Sequence, residues 1–281
     1  MRRQVKRPLV GRELVPGQSP ELLKELHLLT RDGDLNADSL RKLKQVNHLV
    51  RLITPAVEDV LERFADPVVV DCGAGKGYLG FILYELFFGP AGKGTLLAIE
   101  SRPELARSAE ELARRLGYER IRFLAGSVEE APVPARVHLV TALHACDTAT
   151  DDALLVAARH NADQVAVVPC CQAEVARQLE AKGGESRPLL ELSRHPWHRR
   201  EFGSHLTNAI RALTLEAIGY QVTVTELTAW EHSQKNELIL GRRIHGESRS
   251  ARERLDSLLS AAGVRPKLVR ELFGEESPLA L

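Results

Sequence analysis

From residue 40 onward, apolar side chains fall at three- and four-residue steps: Leu40, Leu43, Val46, Val50, Ile53, Val57, Val60 and Phe64. That spacing aligns them along one stripe of an α-helix. Asp38 or Ser39 is its expected N-cap, Pro55 an expected kink, and Asp66-Pro67 its expected limit. Beyond this point the period changes. Val68-Val69-Val70 is a short β-branched run, followed by a helical pattern over residues 78–88. Residues 95–99 predict a second strand ending in Glu100, and 104–116 a helix stopped by Gly117. Strands are predicted at 121–124, 138–143 and 164–168, with helices at 151–159 and 174–182. Strands alternating with helices over short connections predict a parallel sheet covered on both faces.

After residue 186 this rhythm breaks. Residues 187–203 are polar and aromatic and read as a loop, 204–218 as a helix stopped by Gly219, and 220–227 and 237–243 as two strands. Such a closing pair suggests an antiparallel hairpin at the sheet edge. The expected fold is therefore a doubly wound, mostly parallel seven-stranded α/β sheet with an antiparallel C-terminal hairpin. Residues 1–20, with Pro8, Gly11, Pro16, Gly17 and Pro20, read as a loose basic arm. The expected divisions are an N-terminal arm at 1–37, a main domain at 38–245 and a helical extension at 246–281.

The charge balance is even: 38 Lys and Arg against 38 Asp and Glu in 281 residues. A nucleic-acid surface would have to be local. No apolar stretch is long enough for a bilayer, and the first residues lack a secretory apolar core, so the expectation is a cytoplasmic protein without a membrane partner. Cys72, Cys146, Cys170 and Cys171 do not form the spaced framework of a disulfide scaffold, and reduced thiols are expected.

The sharpest local pattern is Asp71-x-Gly73-x-Gly75-x-Gly77, placed after a strand and opening a helix. Glycines there allow a tight turn and close backbone approach to a ligand. The spacing departs from the dinucleotide pattern Gly-x-Gly-x-x-Gly and suits an amino-acid and ribose ligand rather than a pyrophosphate. Glu100, ending the next strand, is placed to accept ribose hydroxyls.

Two further clusters end neighbouring strands: Leu143-His144-Ala145-Cys146-Asp147 and Val168-Pro169-Cys170-Cys171-Gln172. Strand ends of this kind line the ligand crevice of a doubly wound sheet. Three readings stand. The residues shape a pocket in which His144 or Asp147 accepts a proton; Cys146, Cys170 or Cys171 acts as a nucleophile; or His144, Cys146, Cys170 and Cys171 hold zinc. Adjacent cysteines point to opposite faces of a strand, so no metal is counted among the expected cofactors. Asp147 and Asp151 have a plainer reading as helix caps.

With these residues on view, the chain resembles the class I S-adenosylmethionine-dependent methyltransferases, whose motif is similar to Val-Val-Val-Asp-x-Gly-x-Gly-x-Gly with an acid ending the second strand. The resemblance spans residues 67–243 and implies S-adenosylmethionine as cofactor. It implies that Asp71, Gly73, Ala74, Gly75 and Gly77 hold the methionine part and Glu100 the ribose. Many members carry an acid after the third strand for adenine; this chain has Ser127, so Ser127 and the Val128 backbone are the expected substitutes. More narrowly, Leu-His-Ala-Cys-x-x-Ala-Thr-Asp at 143–151 with Pro-Cys-Cys at 169–171 resembles the methyltransferase-domain family that includes the glutathione S-transferase C-terminal-domain-containing protein and methyltransferase-like proteins. It is also similar to acceptor-stem tRNA 2′-O-methyltransferases. Some relatives have Gly where Asp147 stands.

Arg194-His195-Pro196-Trp197-His198-Arg199-Arg200 gathers cations around an aromatic ring. Arg194, Arg199 and Arg200 are candidates for phosphates and Trp197 for stacking a base; a solvated loop is the plainer reading. His205 and Asn208, three apart on the following helix, either face the same crevice or cap and pack, with Lys235, Lys42 and Lys44 as weaker candidates. The expected function is methyl transfer to RNA, either tRNA or rRNA, with no sequence-specific DNA binding. The alternatives are a small-molecule or protein acceptor, or a non-catalytic binding scaffold.

Overall fold

The computed structural model describes residues 13–35, 37–143, 147–169, 172–181, 188–226, 237–244 and 246–274. Val68–Cys72 (β1), Thr95–Glu100 (β2), Ile121–Ala125 (β3), Leu139–Leu143 (β4) and Gln164–Val168 (β5) form the parallel part of one sheet. Tyr220–Glu226 (β6) and Glu237–Arg243 (β7) complete it in the order β3-β2-β1-β4-β5-β7-β6. β7 runs antiparallel to both β5 and β6, as the expected hairpin requires. Residues in β1, β4 and β5 are almost wholly buried because helices cover both faces, which explains their continuous rather than alternating apolar runs. Chain order reverses between β1 and β4, and the carboxyl ends of these strands therefore border the crevice.

The helices before the sheet are Pro20–Glu25 (α1) and Ala37–Arg63 (α2). α2 starts at Ala37, which puts Asp38 and Ser39 inside its first turn rather than at the cap, and it continues through Pro55. Residues 20–35 are tied into the fold. Leu22, Leu23, Leu26, Leu28, Leu29 and Leu35 are buried in one core with α2 and the first sheet helix.

That first sheet helix is Tyr78–Leu83 (α3), extended by a π-helical turn, Tyr84–Phe88, and a short turn, Gly89–Ala91. The π turn aims Tyr84 against Tyr118, with ring centroids 4.3 Å apart. It also presents Glu85, whose carboxylate accepts from the Ser19 N–H at 3.1 Å and from the Ser19 hydroxyl. Ser19 in turn caps α1 by accepting from Leu22 N.

Pro103–Arg115 (α4), Thr148–Arg159 (α5) and Glu174–Ala181 (α6) alternate with the strands. The largest departure from expectation is Pro196–Ala217 (α7). Residues 196–203 continue the helix that was expected to begin at 204. Pro196 occupies a first-turn position where its missing N–H costs nothing. The opening turns are polar and exposed, and the buried face includes Thr207, Asn208, Arg211 and Thr214, so no apolar period announces the start. Arg249–Ala262 (α8) and Lys267–Phe273 (α9) follow. Leu255, Leu259 and Val269 pack there against Val175, Leu206 and Ile210. Among the described residues, no helix is long and apolar enough to cross a membrane.

Candidate functional site

The turn after β1 is made by glycines with left-handed φ: Gly73 at 70°, Gly75 at 61° and Gly77 at 76°. Their reasons differ. A Cβ on Gly77 would lie 2.6 Å from the Phe123 ring, so Gly77 permits close packing of the turn on β3. A Cβ on Gly75 would meet only the Arg102 guanidinium, 4.0 Å away, so Gly75 keeps open space above the turn. Ala74 N donates to Ile99 O at 2.9 Å, fastening the turn to β2.

Glu100 closes the opposite side. Its Oε2 accepts from Gly75 N at 2.7 Å, and its Oε1 accepts from Arg102 N at 3.0 Å and Arg102 Nε at 2.7 Å. Burial works to raise this carboxyl, but the Arg102 side chain and the Arg102 and Gly75 N–H groups prevail and hold it below the ordinary range. An ionised acceptor beside an open glycine turn suits a ligand carrying hydroxyls. Gly126 N donates to Glu100 O at 3.0 Å, which brings Ser127 next to that strand end. The Ser127 hydroxyl donates to Glu130 at 2.9 Å.

Asp71 is buried, with Oδ1 accepting from the Thr141 hydroxyl at 2.8 Å. Desolvation pushes its pKa up to about 7, and the bond from Thr141 opposes that only partly. A carboxyl with a folded pKa above its unfolded value near ~4 holds its proton more tightly when folded. Its contribution to stability is therefore fully present below about pH 4 and is lost as pH rises to about 7. Asp71→Asn is expected to flatten the fall in urea-measured stability between about pH 5 and about pH 7; equal slopes in parent and variant would contradict this.

β4 and β5 lie side by side up to the pair Leu143 and Val168, so both chains leave the sheet at the same edge. His144, Cys146, Cys170 and Cys171 lie outside the described residues. Among the described residues, no three His, Cys, Asp or Glu groups are arranged to hold a metal ion. Cys72 is a free, buried thiol, pushed well up by desolvation.

Asp147, a candidate proton acceptor, is otherwise engaged. Its backbone is strained, with φ 50°, and its side chain does not cap its own helix, α5. Instead Oδ1 accepts from Ala173 N at 2.9 Å and Glu174 N at 3.1 Å, while Oδ2 pairs with Arg177 at 3.0 Å. It thus caps α6 across the strand gap. Burial would raise its carboxyl, but the Ala173 N–H and Arg177 outweigh that and hold it low, which makes it a weak base.

Beneath it lies a buried polar chain that the sequence reading missed. Arg211, 1% exposed, donates through Nε to Asp151 Oδ1 at 2.7 Å. Its other nitrogens donate to the Asp147 carbonyl at 2.8 Å and to Asn208 Oδ1 at 3.2 Å. Asn208 Nδ2 donates to Glu237 at 2.8 Å, Gln172 Nε2 donates to Asn208 at 3.4 Å, and the Ser204 hydroxyl donates to Gln172 at 2.7 Å. The available signal was an arginine at a helical position whose neighbours one turn away, Thr207 and Leu215, belong to the buried face.

A cleft of about 970 Å³ opens over this chain, between α6, the first half of α7 and β6. Trp197, Arg199, Arg200, His205 and Asn208 are among the residues that line it. Arg194 is not among its lining residues and pairs with Glu191 at 3.5 Å. The Trp197 side chain is unusually open for an indole, with the residue 58% exposed, and the Arg200 guanidinium stands 4.5 Å from its ring centroid. Lys235 lies outside the described residues, and Lys44 forms a surface pair with Glu13.

A sheet of this order, with a glycine turn facing an ionised acid, defines a cofactor-binding α/β domain of the doubly wound class. Residues 41–178 match a family described as a methyltransferase domain, which is consistent with the class I S-adenosylmethionine-dependent methyltransferases and supports S-adenosylmethionine as cofactor. The open turn at Gly75 and the ionised Glu100 fit that cofactor. Solved structures with similar folds include an rRNA methylase from Streptococcus thermophilus, at 11% identity and TM-score 0.44, covering 70% of this chain and 96% of that one. A SAM-dependent methyltransferase from Aquifex aeolicus is similar at 18% identity and TM-score 0.39, covering 71% and 98%. A geranyl diphosphate methyltransferase in complex with GPP and sinefungin is similar at 16% identity and TM-score 0.44, covering 69% and 78%. No curated protein matches the chain.

Proposed function

We propose that this methyltransferase acts on RNA, with the acceptor entering the cleft beside the carboxyl end of β5. The observation that carries the reading is the platform at the cleft mouth, an exposed Trp197 with the Arg200 guanidinium over its ring. Such a surface is suited to stacking an unpaired base. The turn from Gly73 to Gly77 holds the methionine part, Glu100 accepts the ribose hydroxyls, and Ser127 with the Val128 backbone borders adenine. When bound, the cofactor supplies an electrophilic methyl group on sulfur. The chain's own part is to orient the acceptor and accept its proton. His144 is assigned that proton, since Asp147 is committed to the α6 cap. Cys146, Cys170 and Cys171 keep the nucleophile role as the competing reading, which single replacements with Ser test.

A small-molecule or protein acceptor is the second reading. The pairing of each cleft arginine with an acid favours it. Tritiated methyl labelling of RNA, protein and small-molecule fractions from cells lacking the protein separates these. Label in RNA is expected. Label confined to another fraction would overturn the RNA reading, and label in none would point to a non-catalytic scaffold.

A further inference from the structure

The cleft's charges argue for what part of an RNA it seats, an inference that rests on the reading above. Three arginines line it, and each is engaged: Arg177 with Asp147 at 3.0 Å, Arg199 with Glu180 at 2.6 Å and Arg200 with Glu201 at 3.4 Å. Four glutamates also line it, the two partners above plus Glu226 and Glu237, so acids outnumber arginines by four to three. A phosphate placed there would have to break an existing ion pair or face an unscreened carboxylate. An uncharged ring faces neither cost. Trp197 offers it an aromatic face, and the floor of the cleft carries Gln172 and Glu237, whose oxygens accept from Ser204 and Asn208 and keep lone pairs for further N–H donors.

We infer that the cleft seats a nucleobase, stacked on Trp197 and read along its N–H edge by Glu237 and Gln172, with the phosphates left outside. The methylated atom is then a nitrogen of the base rather than the ribose 2′-oxygen. The nitrogen lone pair forms the new N–C bond, the C–S bond breaks with its electron pair remaining on sulfur, and the nitrogen's proton is released to water.

The test uses the full chain saturated with S-adenosylhomocysteine and calorimetric titration with adenosine, guanosine, cytidine and uridine, each beside its 5′-monophosphate. At least one nucleoside is expected to bind, with its monophosphate no tighter. Trp197→Ala is expected to weaken that binding about tenfold, with Trp197→Phe retaining most of it. Trp197 is exposed, so neither variant threatens folding. A monophosphate bound tenfold tighter than its nucleoside, or unchanged binding in Trp197→Ala, would overturn the inference. So would labelled RNA whose digested nucleosides carry the methyl on ribose, in which case the RNA reading survives. Nucleoside binding as expected with no label in RNA would instead sink that reading and leave the base-binding cleft standing.

Discussion

Arg211→Ala is expected to cost about 3–5 kcal/mol of folding stability, because it strands a buried carboxylate. Asp151 is 2% exposed, and the Arg211 guanidinium is its charged partner at 2.7 Å. The same fork holds the carbonyl of Asp147, a residue in a sparsely populated backbone conformation, and the oxygen of Asn208. Arg211→Lys keeps the charge but loses the planar fork, so an intermediate loss is expected. Combining Arg211→Met with Asp151→Leu should recover much of the stability, since removing both charges removes the desolvation cost. Guanidinium denaturation reads all three variants. A loss below about 1 kcal/mol in Arg211→Ala would mean that water reaches the pair.

Glu100→Gln is expected to weaken S-adenosylhomocysteine binding by about 2–3 kcal/mol, or roughly 30- to 150-fold. The amide keeps the shape but loses the charge that accepts strongly from hydroxyls. Because the parent carboxyl is held low, it stays ionised as pH falls through the ordinary carboxylate range, and affinity should weaken only below that range. In Arg102→Ala the leading lowering contact is gone, so the loss of affinity should begin at a higher pH. Calorimetry across pH measures both effects. Undiminished binding in Glu100→Gln, with the glycine turn intact, would remove the acid from the cofactor pocket.

Much of this site was legible in the chain because the parallel strands are buried on both faces and read as short β-branched runs. Val68 to Val70, followed by Asp71 and three spaced glycines, marked β1 and its turn, and Glu100 stood at the end of the next such run. What escaped depended on partners distant in sequence. Asp151 and Arg211 lie 60 positions apart; Asp151 alone reads as a helix cap, and nothing near Arg211 in the chain points to a charged partner. Asp147 looked like a cap for the helix it begins, whereas its carboxylate caps another. The start of α7 was hidden because its polar first turns show no apolar stripe. The leucines between residues 22 and 35 show no helical period because α1 ends at Glu25 and His27 turns the chain with φ 56°.

Those leucines bear on how the protein is shortened for laboratory work. A fragment cut at residue 37, just ahead of the long helix, would uncover the oily flank on which Leu22, Leu23, Leu26, Leu28, Leu29 and Leu35 rest. It would also leave Glu85 without the serine that now binds it. Such a truncation invites clumping during expression, so a well-behaved fragment has to begin upstream of Ser19.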